Sequence, residues 1–232
     1  MSISPDSIVF WQLGPLSISA TLIYTWLVML LLVVSAWLIT RRLQVTTAIS
    51  PWQNLLEILV CAITDQIQAL SGRASDQHLA FVGTLFIFII TSNLLAIIPG
   101  YVPPTASLST TTALALCVLI AVPLFSITEN GLWGYLRHYV QPSVWMLPFN
   151  IIGELSRTIA LAVRLYGNVM SGTVIIGILI SLMPFFFPVV IQLLGLITGV
   201  IQAYIFAVLA MVYIASASHS KQQVEKCNTS TT

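Results

Sequence analysis

Charge is what this sequence has least of. Only 6% of its 232 residues are Asp, Glu, Lys or Arg, where a soluble domain carries about 25%. With 58% of the chain hydrophobic, no soluble fold has interior enough for that apolar surface, so a membrane must solvate much of it. Seven acidic and eight basic residues leave a net charge of +1, which excludes a basic field for nucleic acid and an acidic solvating tail. Cysteine is also scarce. Cys61, Cys117 and Cys227 fall in different segments without the paired spacing of a zinc or haem site, so neither a metal centre nor a cofactor is expected. The His-Glu-x-x-His, Gly-x-Ser-x-Gly and phosphate-loop patterns are absent too, which leaves no hydrolytic or nucleotide site to propose. His78, His138 and His219 stand near expected span ends, where interfacial solvation is the plain explanation. The opening Met1-Ser2-Ile3-Ser4 lacks the basic segment of a cleaved signal, so the first hydrophobic span is expected to stay in the mature chain.

What the sequence has instead is length of apolar run. A membrane helix needs about 20 apolar residues. Stretches 16–40, 79–98, 110–127, 149–182 and 189–218 meet or approach that length. Leu55, Leu59, Ile63, Ile67 and Leu70 recur at helical spacing over 51–72, but Gln53, Glu57, Asp65 and Gln68 interrupt them, which suits an amphipathic helix at the interface. The expected fold is therefore an all-α integral membrane protein. It is a single membrane domain over 1–232, with about five transmembrane helices and one interfacial helix. The run 149–182 lacks proline and as a helix would measure about 51 Å at 1.5 Å per residue. The last two helices are thus expected to be long and strongly tilted.

Six basic residues assign the sides. Arg41, Arg42 and Arg73 fall between the first two spans, Arg137 between the third and fourth, and Lys221 and Lys226 after the fifth. All lie on one side, so the N-terminus is expected outside and the C-terminus in the cytoplasm. Arg157 and Arg164 are left inside the fourth span.

An arginine at the centre of a lipid-facing helix costs about 2.5–3.5 kcal/mol on insertion scales and needs a partner or a purpose. At 100° per residue, Glu154, Arg157, Arg164, Asn168 and Ser171 share an arc of about 100°, one polar stripe on an apolar helix. Glu154 and Arg157 stand three residues apart and can pair structurally. Arg164 has no second carboxylate on its own span, so its neutralising group is expected from elsewhere. Ala160, Ala162, Gly167, Ser171 and Gly172 permit close helix approach, toward a partner or within the bundle. In the fifth span, Gln202 can donate and accept hydrogen bonds, and structural glue between helices is its plain alternative.

These residues form a recognisable pattern. Glu154-Leu155-Ser156-Arg157 followed by Leu161-Ala162-Val163-Arg164-Leu165-Tyr166-Gly167-Asn168 resembles the signature of subunit a of the F-type ATP synthase membrane sector. Ile201-Gln202-Ala203-Tyr204-Ile205-Phe206 is similar to that family's final-helix motif, and Asn93-Leu94-Leu95, Pro99-Gly100, Pro104-Thr105-Ala106 and Thr110-Thr111-Thr112 fit the same order. The resemblance implies a non-catalytic, ion-translocating stator with two half-channels against a rotating ring of c subunits. Peripheral-stalk b subunits and membrane lipid would be its other partners. Arg164 would be the essential arginine and Gln202 its neighbour. Glu154 and Asn168 would line the ion route, with Arg157, Ser171, Thr173 and Tyr204 in support.

Two positions depart from the family pattern. The residue after Gly172, often acidic or histidine in the family, is Thr173, and the position seven before Gln202 is Gly195. The usual ionisable pair of the outer half-channel is therefore missing. The resemblance implies proton coupling carried by water and polar groups, with sodium as the alternative ion. A stand-alone secondary transporter and a purely structural assembly subunit are the alternatives of another class.

Overall fold

The structure, a computed structural model, describes residues 9–13, 16–41, 51–71, 76–98, 100–140, 146–182 and 187–218. Arg42, Arg73, His219, Lys221, Lys226, Cys227 and residues 183–186 lie outside the described residues, as do the side chains of Gln53, Leu55, Leu59, Ile67, Leu70, Arg137 and His138.

A short antiparallel hairpin comes first, β1 (Val9–Leu13) against β2 (Leu16–Ser19), with Leu13 opposite Leu16. It runs into α1 (Ala20–Thr40), so the start of the span expected at Leu16 is extended backbone. Leu16-Ser17-Ile18-Ser19 alternates apolar and polar, a period of two that suits a strand. The helices α2 (Pro51–Ser71) and α3 (Asp76–Leu94) follow, and α3 tightens into a 3-10 turn at Leu95–Ile97. Gly100 then takes φ 92°, open to glycine because no Cβ is there to clash. The loop beyond it is buried from Pro103 to Ser107, through a second 3-10 turn at Pro104–Ala106.

The third span corrects the expectation most. The segment with Glu129, Arg137 and His138, which follows the 110–127 stretch read as the third span, is helical backbone within α4 (Leu108–Val140), a single helix of 33 residues. The fall in hydropathy after Ile127 marks the end of the apolar stretch, and nothing in the sequence there stops a helix. Pro123 lies inside α4, tolerated as prolines in membrane helices are when neighbours satisfy the freed backbone. The last elements are α5 (Met146–Leu182) and α6 (Phe187–Ser218), of 37 and 32 residues. Pro148 and Pro188 stand in their first turns, where the missing N–H is not needed. Among the described residues five helices are long and apolar enough to cross a membrane, over Ala20–Leu38, His78–Ile97, Leu108–Thr128, Pro148–Leu182 and Phe187–Ser216. The fold is that of an all-α membrane protein carrying a small N-terminal hairpin.

The core lies among α3, α4, α5 and α6. Ile89, Val118, Leu161, Leu165 and Phe206 are buried in one cluster, with Ala115, Ala162, Ala203 and Ala210 between them. Those alanines let the backbones approach closely, since packing and not the hydrophobic effect draws helices together in lipid. A second cluster, Val82, Val122, Ala207, Met211 and Ile214, continues it along α6 and receives Ile63 from α2. By contrast α1 leaves Trp26, Leu30, Val33 and Trp37 exposed and inserts Val28.

Candidate functional site

Buried Leu161, Ala162 and Leu165 turn one face of α5 into the core. The polar stripe runs along the edge of that face. Glu154 and Asn168 are half-buried, while Arg157, Arg164 and Ser171 are exposed. The Arg157 guanidinium lies over the Tyr213 ring of α6, 5.7 Å from its centroid. Arg164 makes no ion pair or hydrogen bond among the described residues. The Ser171 hydroxyl donates to the Asn168 carbonyl at 3.1 Å, and Thr158 donates to that of Glu154 at 3.0 Å, the local back-bonding by which hydroxyl side chains satisfy themselves in apolar helices.

α5 and α6 pack antiparallel. Arg157 meets Tyr213 near one end, and Gly172 and Gly195 face one cleft farther along. Counted along the two helices, Arg164 and Gln202 both fall between those two levels. Gln202 is buried at 7% exposure, and its Nε2 has no hydrogen-bond partner among the described residues. A buried amide left unpaired is costly, which sets this nitrogen apart from the paired amides of the same helices.

Two clefts open on either side of that level. The first, of about 360 Å³, lies between α5, α6 and the loop after α3, and is lined by Asn93, Tyr101, Asn168, Thr173, Gln192 and Gly195 among others. The two positions that depart from the family pattern, Thr173 and Gly195, thus face the same space. Its inner end is at Asn168 and Gly199, one helical turn short of Arg164 and Gln202. The second cleft, of about 440 Å³, lies between α2, α3 and α6, with Asp65, Gln66 and Tyr204 on largely apolar walls. There the Tyr204 hydroxyl donates to Gln66 Oε1 at 3.0 Å. Gln202 sits on α6 between the two, since the first cleft uses its residues 192–199 and the second its residues 204–211.

Sequence reasoning named Asn93 and Thr105 only as motif residues and gave no role to the groups that tie the walls of the first cleft together. Asn93 Nδ2 donates to the Gly199 carbonyl at 2.9 Å, and Thr105 Oγ1 donates to Asn93 Oδ1 at 2.8 Å. Gln192 Nε2 donates to the Ala96 carbonyl at 2.9 Å. The available signal was an amide in an otherwise apolar run, at Asn93 and again at Gln192. Among the described residues no group of three or more His, Cys, Asp and Glu gathers as a metal site.

A family profile described as ATP synthase A chain matches residues 22–215. The chain is similar to ATP synthase subunit a 2 of Acaryochloris marina, 62% identical over 222 residues that cover 96% of this chain and 95% of that one. It is 57% identical over 222 residues to ATP synthase subunit a of Albidiferax ferrireducens, covering 96% of each. Against ATP synthase subunit a 1 of Crocosphaera subtropica it is 54% identical over 223 residues, covering 96% of this chain and 97% of the other.

Proposed function

The chain belongs to the ATP synthase A chain family, and from that premise we propose that it is the ion-translocating stator of the membrane sector, with Arg164 facing a rotating ring of carboxylate-bearing c subunits. The chain itself is non-catalytic, it meets peripheral-stalk b subunits as well, and it resides in a bacterial-type inner membrane with its N-terminus outside. The first cleft serves as the outer half-channel and the second as part of the inner route. The observation that carries this reading is an arginine without a partner among the described residues, level with buried Gln202 and one turn beyond the cleft that holds Asn168.

The mechanism follows from the charge. A permanent cation within a few ångströms favours the ionised form of a ring carboxylate, so the bound ion leaves as that site arrives. The same cation repels an ion hopping straight through, which keeps inlet and outlet apart. An ion crossing the full potential releases about 2.3 kcal/mol per 100 mV, available to turn the ring. Asn168 supplies neutral polar atoms on the outer approach, and Glu154 with Arg157 lies on the opposite side of Arg164 along the stripe.

In the first reading the ion is a proton carried by cleft water. A second reading, sodium, is favoured by one observation: the described side chains lining the outer cleft include no Asp, Glu or His, and its polar groups are amides and hydroxyls. Oxygen ligands of that kind suit a hard monovalent cation. ATP hydrolysis by the purified complex should depend on sodium in the second reading, and indifference to sodium would reject it. The stator role is tested with Arg164→Ala: the complex should assemble and lose ATP-driven ion uptake. Loss of assembly would instead favour a structural anchor, and retained uptake would remove Arg164 from the mechanism.

A further inference from the structure

Five polar side chains line the outer cleft, and three of them are already engaged. Asn93 uses both ends of its amide, on Gly199 and Thr105. Gln192 is tied to Ala96, and Thr173 donates to the Met170 carbonyl at 2.8 Å. Asn168 belongs to the stripe already described. That leaves Tyr101, whose hydroxyl oxygen is buried and has no hydrogen-bond partner among the described residues. Buried polar groups are nearly always paired, and each exception needs an explanation.

The ring does not need its hydroxyl to stay in place. The chain turns at Gly100, with φ 92°, and the Tyr101 amide donates to the Ile98 carbonyl at 3.1 Å. Tyr24 of α1 meets the Tyr101 ring edge-to-face at 5.0 Å between centroids, and its own hydroxyl donates to the Gly100 carbonyl at 3.2 Å. Edge-to-face contact depends on the ring and not on the oxygen. The phenol of this cleft-lining residue is thus held by a turn, a backbone bond and an aromatic contact, and its oxygen is left unpaired.

We propose that the Tyr101 hydroxyl is an ion-path contact of the outer cleft, giving a neutral oxygen to the arriving cation or its water at the loop end, before Asn168. This rests on reading the cleft as the outer half-channel. Burial, and then the neighbouring Tyr24, push the Tyr101 phenol up to about 12, so it stays uncharged in the working range and acts by its lone pairs and not by ionising. Both cation chemistries use that oxygen in the same way, as a ligand to sodium or as an acceptor from a protonated water.

Tyr101→Phe isolates the oxygen, since it keeps the ring and its contact with Tyr24. The whole complex is reconstituted in lipid vesicles, and ATP synthesis under an imposed potential is followed with sodium varied at fixed pH, and in a second series with pH varied at fixed sodium. Arg164→Ala runs alongside. One neutral hydrogen bond corresponds to roughly a fivefold change in an equilibrium. Tyr101→Phe is therefore expected to raise the half-saturating cation concentration about fivefold in one series, with the maximal rate regained at saturation. The series that moves names the cation. An unmoved half-saturation in both series overturns the proposal, as does a loss confined to the amount of assembled complex. If Arg164→Ala abolishes synthesis in those cases, the reading of the cleft survives. Synthesis that persists in Arg164→Ala overturns that reading and this inference with it.

Discussion

Asn93 on α3 grips α6 at Gly199, donating its amide to that residue's carbonyl at 2.9 Å. A methyl group added at Gly199 would stand 3.1 Å from Asn93 Cβ, so Asn93, held by its own hydrogen bonds, would have to give by a few tenths of an ångström. The pair fixes the end of the first cleft that lies one turn from Gln202. Gly199→Ala should push the helices apart at a cost of about 1–3 kcal/mol, the range for overpacking. Asn93→Ala should cost about 1–2 kcal/mol by removing two buried bonds. Thermal denaturation of the complex in detergent measures both. A double variant less destabilised than the sum of the singles would show that they act as one contact.

Arg157 and Arg164 share a stripe but not a situation. Arg157 lies over Tyr213 at 5.7 Å, a contact worth about 0.5–1 kcal/mol at an exposed site. Tyr213→Leu is therefore expected to lower the unfolding midpoint slightly and to leave ion transport per assembled complex intact, whereas Arg164→Ala does the reverse. Transport assays normalised to the amount of complex separate the two.

Tyr101 gives a pH dependence at the alkaline end. Its folded-state pKa of about 12 lies above the ordinary value of 10. An unfolded chain thus gives up this proton first as pH rises. The contribution to stability is full below pH 10 and is lost as pH rises toward 12. Tyr101→Phe should flatten the fall in unfolding midpoint over that window, and ultraviolet titration should show one fewer late-ionising tyrosine.

The spans were legible because a stretch of about 20 apolar residues has few other uses, and the five helices long enough to cross agree with those read from the sequence. The extension of α4 to Val140 was not legible, because polarity tells where lipid ends while a helix ends only where its backbone is stopped. The β1–β2 hairpin was hidden by apolar content shared with the span that follows. Arg164 announced itself through the cost of its charge. The clefts did not, since they depend on which helices are neighbours: Asn93 and Gly199 are 106 residues apart, and no local pattern at either position names the other. Tyr101 carries no signal in the sequence, because its meaning lies in an oxygen that the fold leaves unpaired.

The central claim is that the face of α5 carrying Arg164 looks onto helices of another polypeptide. Gly167 is exposed one turn along from Arg164, and Ile120 is exposed on α4. Disulfide trapping in the assembled complex measures this directly, with a cysteine at Gly167 or at Ile120 and another beside the ring carboxylate. The expected result is cross-linking to the ring from Gly167→Cys and none from Ile120→Cys. No cross-link from Gly167→Cys, or equal cross-linking from both, would contradict the assignment of Arg164 to the rotor face.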